Sequence, residues 1–290
     1  MKRFLILVLF ILIVCTPGFS KNKKDLKVFI SVDMEGITGI VNWEEVNRQG
    51  KDYDYFRKIM TKETNAAIEG AMEAGATNIL VRDSHGSARN ILPELLNRNA
   101  RLLRDWSGGI KIMMEGIDDT FDAVIFIGYH GKAGTPNALL EHTMSGNVTD
   151  VSINGISMPE AGINALIAGY YNVPVVFLSG DLAICKQVKG LFGTIETVAV
   201  KEGIGNSALN LHPEVTREKI KEGVRKALSN LSEYKPYKLK PPYTLQLKLK
   251  REESVHQKSL YPGATRTGEW EITFKNPDLM EVIKALTWML

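Results

Sequence analysis

Cysteine is nearly absent: Cys15 and Cys185 are the only thiols in 290 residues. Cys15 falls in an N-terminal segment read below as removable, so a mature chain keeps Cys185 alone and has no internal disulfide. Cys185 sits in an apolar helical stretch and reads as a small buried hydrophobe rather than a catalytic thiol. Long apolar runs are lacking too. The longest candidate, Phe4 to Cys15, has twelve residues, where a membrane-spanning helix needs about 20. Nor does either sign of charge dominate. The 36 basic residues against 33 acidic ones give a net charge of +3, too little to attract a phosphate backbone, and nucleic acid is not an expected partner. At 24% charged and 44% hydrophobic residues, the chain can bury a real core and shows no bias toward disorder.

Familiar catalytic signatures are missing as well. There is no His-Glu-x-x-His helix, no Walker loop around Gly131-Lys132, no Gly-x-Gly-x-x-Gly after the first expected strand and no Gly-x-Ser-x-Gly elbow. Nucleotide chemistry and serine hydrolysis therefore lack support.

What is present begins with Lys2 and Arg3 ahead of the Phe4 to Cys15 run, followed by Pro17, Gly18 and Ser20. This is the layout of a signal peptide over residues 1–20, with small residues where cleavage occurs. The expected product is secreted or periplasmic and has no stable membrane span. Loss of Lys2 and Arg3 leaves 34 basic against 33 acidic residues, net +1. A lipid anchor at Cys15 is the alternative, but Val14 stands where a small residue is expected.

Beyond this segment, buried-strand runs alternate with amphipathic stretches, the pattern of an α/β fold: a three-layer core with a mainly parallel sheet. Strands are expected at Lys27 to Val32, Asn78 to Arg82, Ala123 to Ile127, Val173 to Leu178 and Ile195 to Val200. Helices are expected from Tyr55 to Ala74, stopped by Gly75, and from Pro159 to Tyr171. After Pro213 the style changes. A helix from Glu214 to Leu231 leads through Pro236, Pro241 and Pro242 to alternating strands at Thr244 to Leu249 and Glu269 to Phe274, and then to a helix from Pro277 to Leu290. The expected organisation is an α/β metal-binding catalytic core over 21–212 and a smaller C-terminal α+β part over 213–290.

In open α/β sheets ligands bind beyond the carboxyl ends of the strands. Three expected strands run there into metal-ligand residue types: Ser31-Val32-Asp33-Met34-Glu35-Gly36, Arg82-Asp83-Ser84-His85-Gly86 and Gly128-Tyr129-His130-Gly131. Alternation puts Asp33 and Glu35 on one side of the backbone and Met34 on the other. Carboxylates gathered at a buried strand end need a cation, and a mixed imidazole and carboxylate set suits zinc, with manganese or cobalt as alternatives. Each residue alone reads as a solvated loop group; their coincidence at three strand ends favours a metal site. Glu160 follows Pro159 at a helix start, where a carboxylate is stabilised by the first backbone N–H groups. His142, twelve residues past His130, could reach the same edge or sit on the surface.

At these residues the sequence resembles the zinc-dependent D-aminopeptidase family associated with bacterial dipeptide-permease operons, whose signature begins Ser-x-Asp-x-Glu-Gly. The resemblance continues through Asp83-Ser84-His85, Glu115-Gly116-Ile117-Asp118, Gly128-Tyr129-His130, Glu141-His142-Thr143-Met144, Pro159-Glu160-Ala161-Gly162-Ile163-Asn164-Ala165, Ser179-Gly180-Asp181 and Tyr261-Pro262-Gly263-Ala264. It implies a binuclear zinc hydrolase that removes N-terminal residues, D-alanyl ones in the best-known case, from short peptides, and that assembles as a homodecamer. Carried over by motif, Asp33 bridges two metals, Glu35 and His85 complete one site, His130 and Glu160 the other, and His142 is the catalytic residue. The rival readings are a two-metal phosphatase or amidohydrolase and a secreted non-catalytic peptide-binding protein. A phosphatase would usually add basic residues around the metals, and only Arg82 and Lys132 are near in sequence.

Overall fold

Runs such as Val28-Phe29-Ile30 and Val124-Ile125-Phe126-Ile127 carry apolar side chains at successive positions, so a strand made from them must be covered on both faces. The computed structural model of the chain describes residues 25–290. The expected signal peptide and the alternative anchor at Cys15 lie outside the described residues. Among the described residues, no helix is long and apolar enough to cross a membrane.

In chain order the first half contains β1 (Leu26–Val32), α1 (Trp43–Val46), α2 (Tyr53–Glu73), β2 (Ala76–Asp83), β3 (Ala100–Leu103), a 3₁₀ turn (Ile112–Met114), β4 (Ala123–Tyr129), β5 (Val148–Ile153) and β6 (Ile156–Ser157). The second half contains α3 (Glu160–Tyr170), β7 (Val175–Asp181), α4 (Leu182–Phe192), β8 (Glu196–Ile204), β9 (Ser207–Asn210) and α5 (Pro213–Ser229). It closes with β10 (Tyr243–Leu249), α6 (Glu252–Lys258), β11 (Thr265–Arg266), β12 (Glu271–Asn276) and α7 (Leu279–Met289).

The main sheet has the order β3-β2-β1-β4-β7-β8-β9, parallel throughout except for the β8–β9 hairpin. Its two faces are sorted by alternation. Val28, Ile30 and Val32 of β1 and Ala123, Ile125 and Ile127 of β4 pack with α2 and α5, whereas Phe29, Val124 and Phe126 face α3, α4 and the second sheet. The α2 helix ends where Gly75 takes φ +97°, a left-handed conformation that costs glycine nothing. Its partner α5 starts with Pro213 at its first turn and His212 accepting from the Glu214 N–H. The α3 helix is buried on all sides, which its unbroken Ala-Gly-Ile-Asn-Ala-Leu-Ile-Ala run permits.

The second sheet is antiparallel, β11-β12-β10-β5-β6. Its strands come from both sides of the boundary expected at 212/213: β5 pairs with β10 in the register Leu245↔Ile153 and Leu247↔Val151, and α5 packs on α2 in the main domain rather than on the second sheet. The β5–β6 hairpin escaped the sequence reading because Val148-Thr149-Asp150-Val151-Ser152-Ile153 is half polar. Its turn, Asn154-Gly155, has both residues at positive φ, as a two-residue hairpin turn demands. The fold class is nonetheless the expected one, a mainly parallel α/β sheet with a smaller antiparallel sheet appended.

The order of the central strands positions the site. From β1 the chain moves to β2 and β3 on one side, then returns to place β4, β7 and β8 on the other. Connections leaving β1 and β4 therefore diverge and open a crevice at the carboxyl ends of these two neighbouring strands.

Candidate metal centre

Asp33 and His130 are the residues that follow β1 and β4, on either side of that crevice. The Asp33 N–H donates to the Ile127 carbonyl (2.8 Å), prolonging the β1–β4 pairing past the strand ends. Met34 turns into the apolar core below, as alternation requires, and Asp33 and Glu35 are left on the crevice side, each 2% exposed. Gly36 makes the turn possible: its N–H donates to the Gly128 carbonyl (2.7 Å), and a Cβ there would lie 1.9 Å from the Tyr129 carbonyl oxygen. Any side chain at this position would push the Asp33–Glu35 segment off β4.

His85 arrives from β2, held by the Ser84 N–H on the Val32 carbonyl (2.8 Å). Asp83 of the same motif organises the following loop rather than facing the crevice, accepting from the N–H groups of Asn90 (2.6 Å) and Ile91 (2.7 Å) and from the Asn90 amide (2.8 Å). Asp181 plays a comparable part, capping α4 through the Ile184 N–H (2.8 Å). Glu160 opens α3, and its Oε1 accepts from the Met144 N–H (2.6 Å), which ties the helix start to the loop that carries His142.

The six residues singled out in the sequence all meet here. His85 Nδ1 lies 2.9 Å from Glu35 Oε2 and 3.4 Å from Asp33 Oδ1. His130 Nε2 lies 3.5 Å from Asp33 Oδ2 and 3.7 Å from Glu160 Oε2. His142 Nε2 is 3.4 Å from Glu160 Oε1, and its ring stacks on that of His130 with centroids 4.3 Å apart. The ligand atoms form three overlapping groups, each within 4.8 Å: Asp33, Glu35 and His85; Asp33, His130 and Glu160; Glu35, His130 and His142.

Donor chemistry fits a cation. A backbone carbonyl only accepts, so the contacts of His85 Nε2 with the Val46 carbonyl (3.0 Å) and of His130 Nδ1 with the Gly131 carbonyl (3.0 Å) assign a proton to those nitrogens. The opposite nitrogen of each ring then aims its lone pair at carboxylate oxygens, the outer-sphere arrangement usual for metal-binding histidines. Asp33 Oδ2 and His130 Nε2 are buried without a hydrogen-bond partner among the described residues. With the ring neutral, two lone-pair atoms so placed repel each other unless a proton or a metal ion stands between them.

The electrostatics say the same. Burial, reinforced by the Glu35 charge, raises the Asp33 carboxyl well above its usual range. Burial also acts against ionised Glu35 and Glu160, but the charges of His85 and His130 respectively outweigh it and hold both carboxyls low. On the imidazole side, burial opposes a proton, yet the Glu160 carboxylate, with Glu35 and Asp33 behind it, pushes His130 up to about 10. A cluster that draws protons this strongly is one in which a divalent ion would be well compensated.

Lys201 gave no signal in the sequence. It lies on β8, buried, and its ammonium donates to the carbonyls of Glu35 (2.5 Å), Ile37 (3.1 Å) and Ile40 (2.5 Å), fastening the loop that carries Glu35 from below. A lone lysine just past the end of an expected strand has no local pattern that would mark this role. The crevice opens into a cleft of about 450 Å³ whose outer walls include Trp43, Trp106, Ile112, Met144 and Leu290.

Buried carboxylates and imidazoles at the switch point of a parallel sheet, open to a peptide-sized cleft, define a metallohydrolase-type centre. The D-aminopeptidase family profile matches residues 26–288, and the chain belongs to that family. It is 36% identical over 270 residues to the D-aminopeptidase of Bacillus subtilis (strain 168), covering 91% of this chain and 96% of the relative. The fold superposes with a TM-score of 0.88 on a solved structure described as the Zn-dependent D-aminopeptidase DppA from Bacillus subtilis, a self-compartmentalizing protease, at 33% identity over 91% of this chain and 96% of that one. The resemblance seen in the motifs thus extends through the described fold, and the protein is a peptidase of the D-aminopeptidase family.

Proposed function

We propose that the chain is a binuclear zinc aminopeptidase that removes N-terminal D-amino acids from short peptides. The observation that carries this reading is that Asp33 belongs to two donor groups at once, presenting Oδ1 toward His85 and Oδ2 toward His130. In this reading Glu35 and His85 hold one ion, His130 and Glu160 the other, and Asp33 is shared. A zinc pair supplies Lewis acidity to the scissile carbonyl and acidifies water at neutral pH.

The residues of the chain do the rest. The carboxylates offset the cationic charge, and the Val46 and Gly131 carbonyls fix the ring orientations of His85 and His130. His142 Nδ1 faces the Leu140 carbonyl (2.9 Å), so its Nε2 is the atom free to move a proton at the leaving amine. The apolar walls border an open cleft with room for a chain of a few residues. The zinc-loaded chain should release the N-terminal residue from D-alanyl di- and tripeptides faster than from their L counterparts. Tight binding without turnover would instead favour a peptide-binding protein. Self-assembly, as a homodecamer, belongs to the same reading, and exposed Leu209, Ile204 and Trp288 offer apolar surface for it; light scattering that finds only monomer would remove this part.

Zinc uptake should also release protons. The folded His130 sits at about 10, above an unfolded value of roughly 6.5. Its proton therefore stabilises the metal-free fold fully below about pH 6.5, and that stabilisation is lost as pH rises toward about 10. Zinc competes for the same lone pair, so its apparent affinity should rise across this interval. Calorimetry at pH 7.5 in two buffers of different ionisation enthalpy should show net proton release; equal heats in both would contradict it.

A further inference from the structure

Arg82 is a large charged side chain, buried among the described residues, that the proposed mechanism leaves unexplained. It is fully buried on β2, and its Nη1 donates to the Asp105 carbonyl (2.6 Å), but Nε and Nη2 have no hydrogen-bond partner among the described residues. Two of the acids around it, Asp83 and Asp105, are committed elsewhere. Asp83 is taken by Asn90 and Ile91, and the Asp105 carboxylate accepts from the Trp106 N–H (2.9 Å) and lies 3.7 Å from Arg89 Nε; the charge of Glu115 also acts on Arg82, but no hydrogen bond joins the two. A guanidinium with two open donors is costly to bury, and its planar fork matches a carboxylate in shape and charge.

Its position relates it to the cleft. The guanidinium carbon stacks 4.6 Å from the ring centroid of Trp106, which lines the cleft. Asp105, at φ +69°, turns the chain so that Trp106 lies over Arg82; the residue is 42% exposed, and its indole N–H donates to the Gly86 carbonyl (2.7 Å). Trp106 shares the lining of that cleft with Asp33, Glu35 and His85, so Arg82 lies behind a wall of the cavity that holds the candidate metal ligands.

Resting on the peptidase reading above, we propose that Arg82 binds a carboxylate of the peptide substrate, that Trp106 is the cover that turns aside to admit it, and that short acidic or free-acid peptides are the preferred class. Two sources share this chemistry, the C-terminal carboxylate and an acidic side chain, and the test separates them. Zinc-loaded full chain is assayed on a D-alanyl dipeptide and tripeptide as free acids and as C-terminal amides, and on amides whose last residue is D-glutamate or D-glutamine. The free acid should be preferred by tenfold or more, chiefly through KM. If the side chain is the source, the D-glutamate amide shows that preference over the D-glutamine amide instead.

In Arg82→Gln the preference should fall toward one, with KM on the preferred substrate rising and zinc content unchanged; Arg82→Lys, which keeps the charge but not the fork, should retain part of it. Equal turnover of all pairs by the wild-type chain would overturn the proposal while leaving the peptidase reading intact, and this comparison stands even if Arg82→Gln does not fold. A preference that survives in a folded Arg82→Gln, or an equal loss on acids and amides, would also overturn it, since a prop for Asp105 acts on both alike. Hydrolysis of none of the peptides sinks both readings.

Discussion

His142→Ala should keep two zinc ions and the fold while lowering peptide turnover by roughly 10²- to 10⁴-fold, the usual contribution of a positioned acid or base. The expectation rests on how the side chain is held. His142 stacks on His130, meets the edge of Trp43 at 5.5 Å and has its Nδ1 on the Leu140 carbonyl, so the ring is fixed with Nε2 toward the cleft. It is also less buried than His85 and His130, as a group that meets the leaving amine must be. The competing role is a ligand's, because Glu35, His130 and His142 form one of the three donor groups. Metal analysis decides between them. Loss of an ion along with activity would make His142 a ligand, and near-normal kcat with both ions retained would leave it no chemical role. In that last case Glu141→Gln is the next variant to assay.

The parts of the centre that were legible in the sequence share one property: each is a short run in which ligand-type residues follow a strand. Ser31 to Gly36, Asp83 to His85 and Gly128 to His130 could be read because strand ends are visible as the close of an apolar run, and the topology brings such ends together. Glu160 was visible through Pro159. What could not be read depends on contacts between distant segments. Lys201 reaches the Glu35 carbonyl across 166 residues, and the Ser31 hydroxyl meets those of Ser84 and Tyr129 beneath the site, each at 2.8 Å, with Asn164 donating to Tyr129 at 3.0 Å. No periodicity within β1 reveals that its one buried serine is paired. The same limit explains β8, which runs to Ile204 rather than Val200 because β9 folds back on it, and the β5–β6 hairpin, whose partner β10 lies some ninety residues on.

Asp33→Ala should abolish the retention of both zinc ions and with them all measurable peptide turnover, whereas His85→Ala should lose one ion's worth of binding directly. Of the three donor groups, the two that would hold the pair, Asp33 with Glu35 and His85 and Asp33 with His130 and Glu160, share Asp33 alone, with one oxygen on each side. A misfolded variant would also lose metal, so stability must be read separately. In the metal-free protein burial and the Glu35 charge disfavour the ionised form of the Asp33 carboxyl, and its Oδ1 accepts from the Met34 N–H at 2.9 Å. Asp33→Asn keeps an acceptor there and cannot take on the disfavoured charge, so its metal-free Tm should equal or exceed that of the metal-free wild type. What should vanish is the rise in Tm on adding zinc. At a hundredfold excess over Kd each ion contributes about 2.7 kcal/mol, or about 5 to 10 °C for a chain of this size. A shared carboxylate requires that both contributions disappear with one substitution, in Asp33→Asn as in Asp33→Ala. Independent sites would leave one of them in place, and a variant that still bound two ions with the wild-type rise in Tm would remove Asp33 from the metal centre altogether.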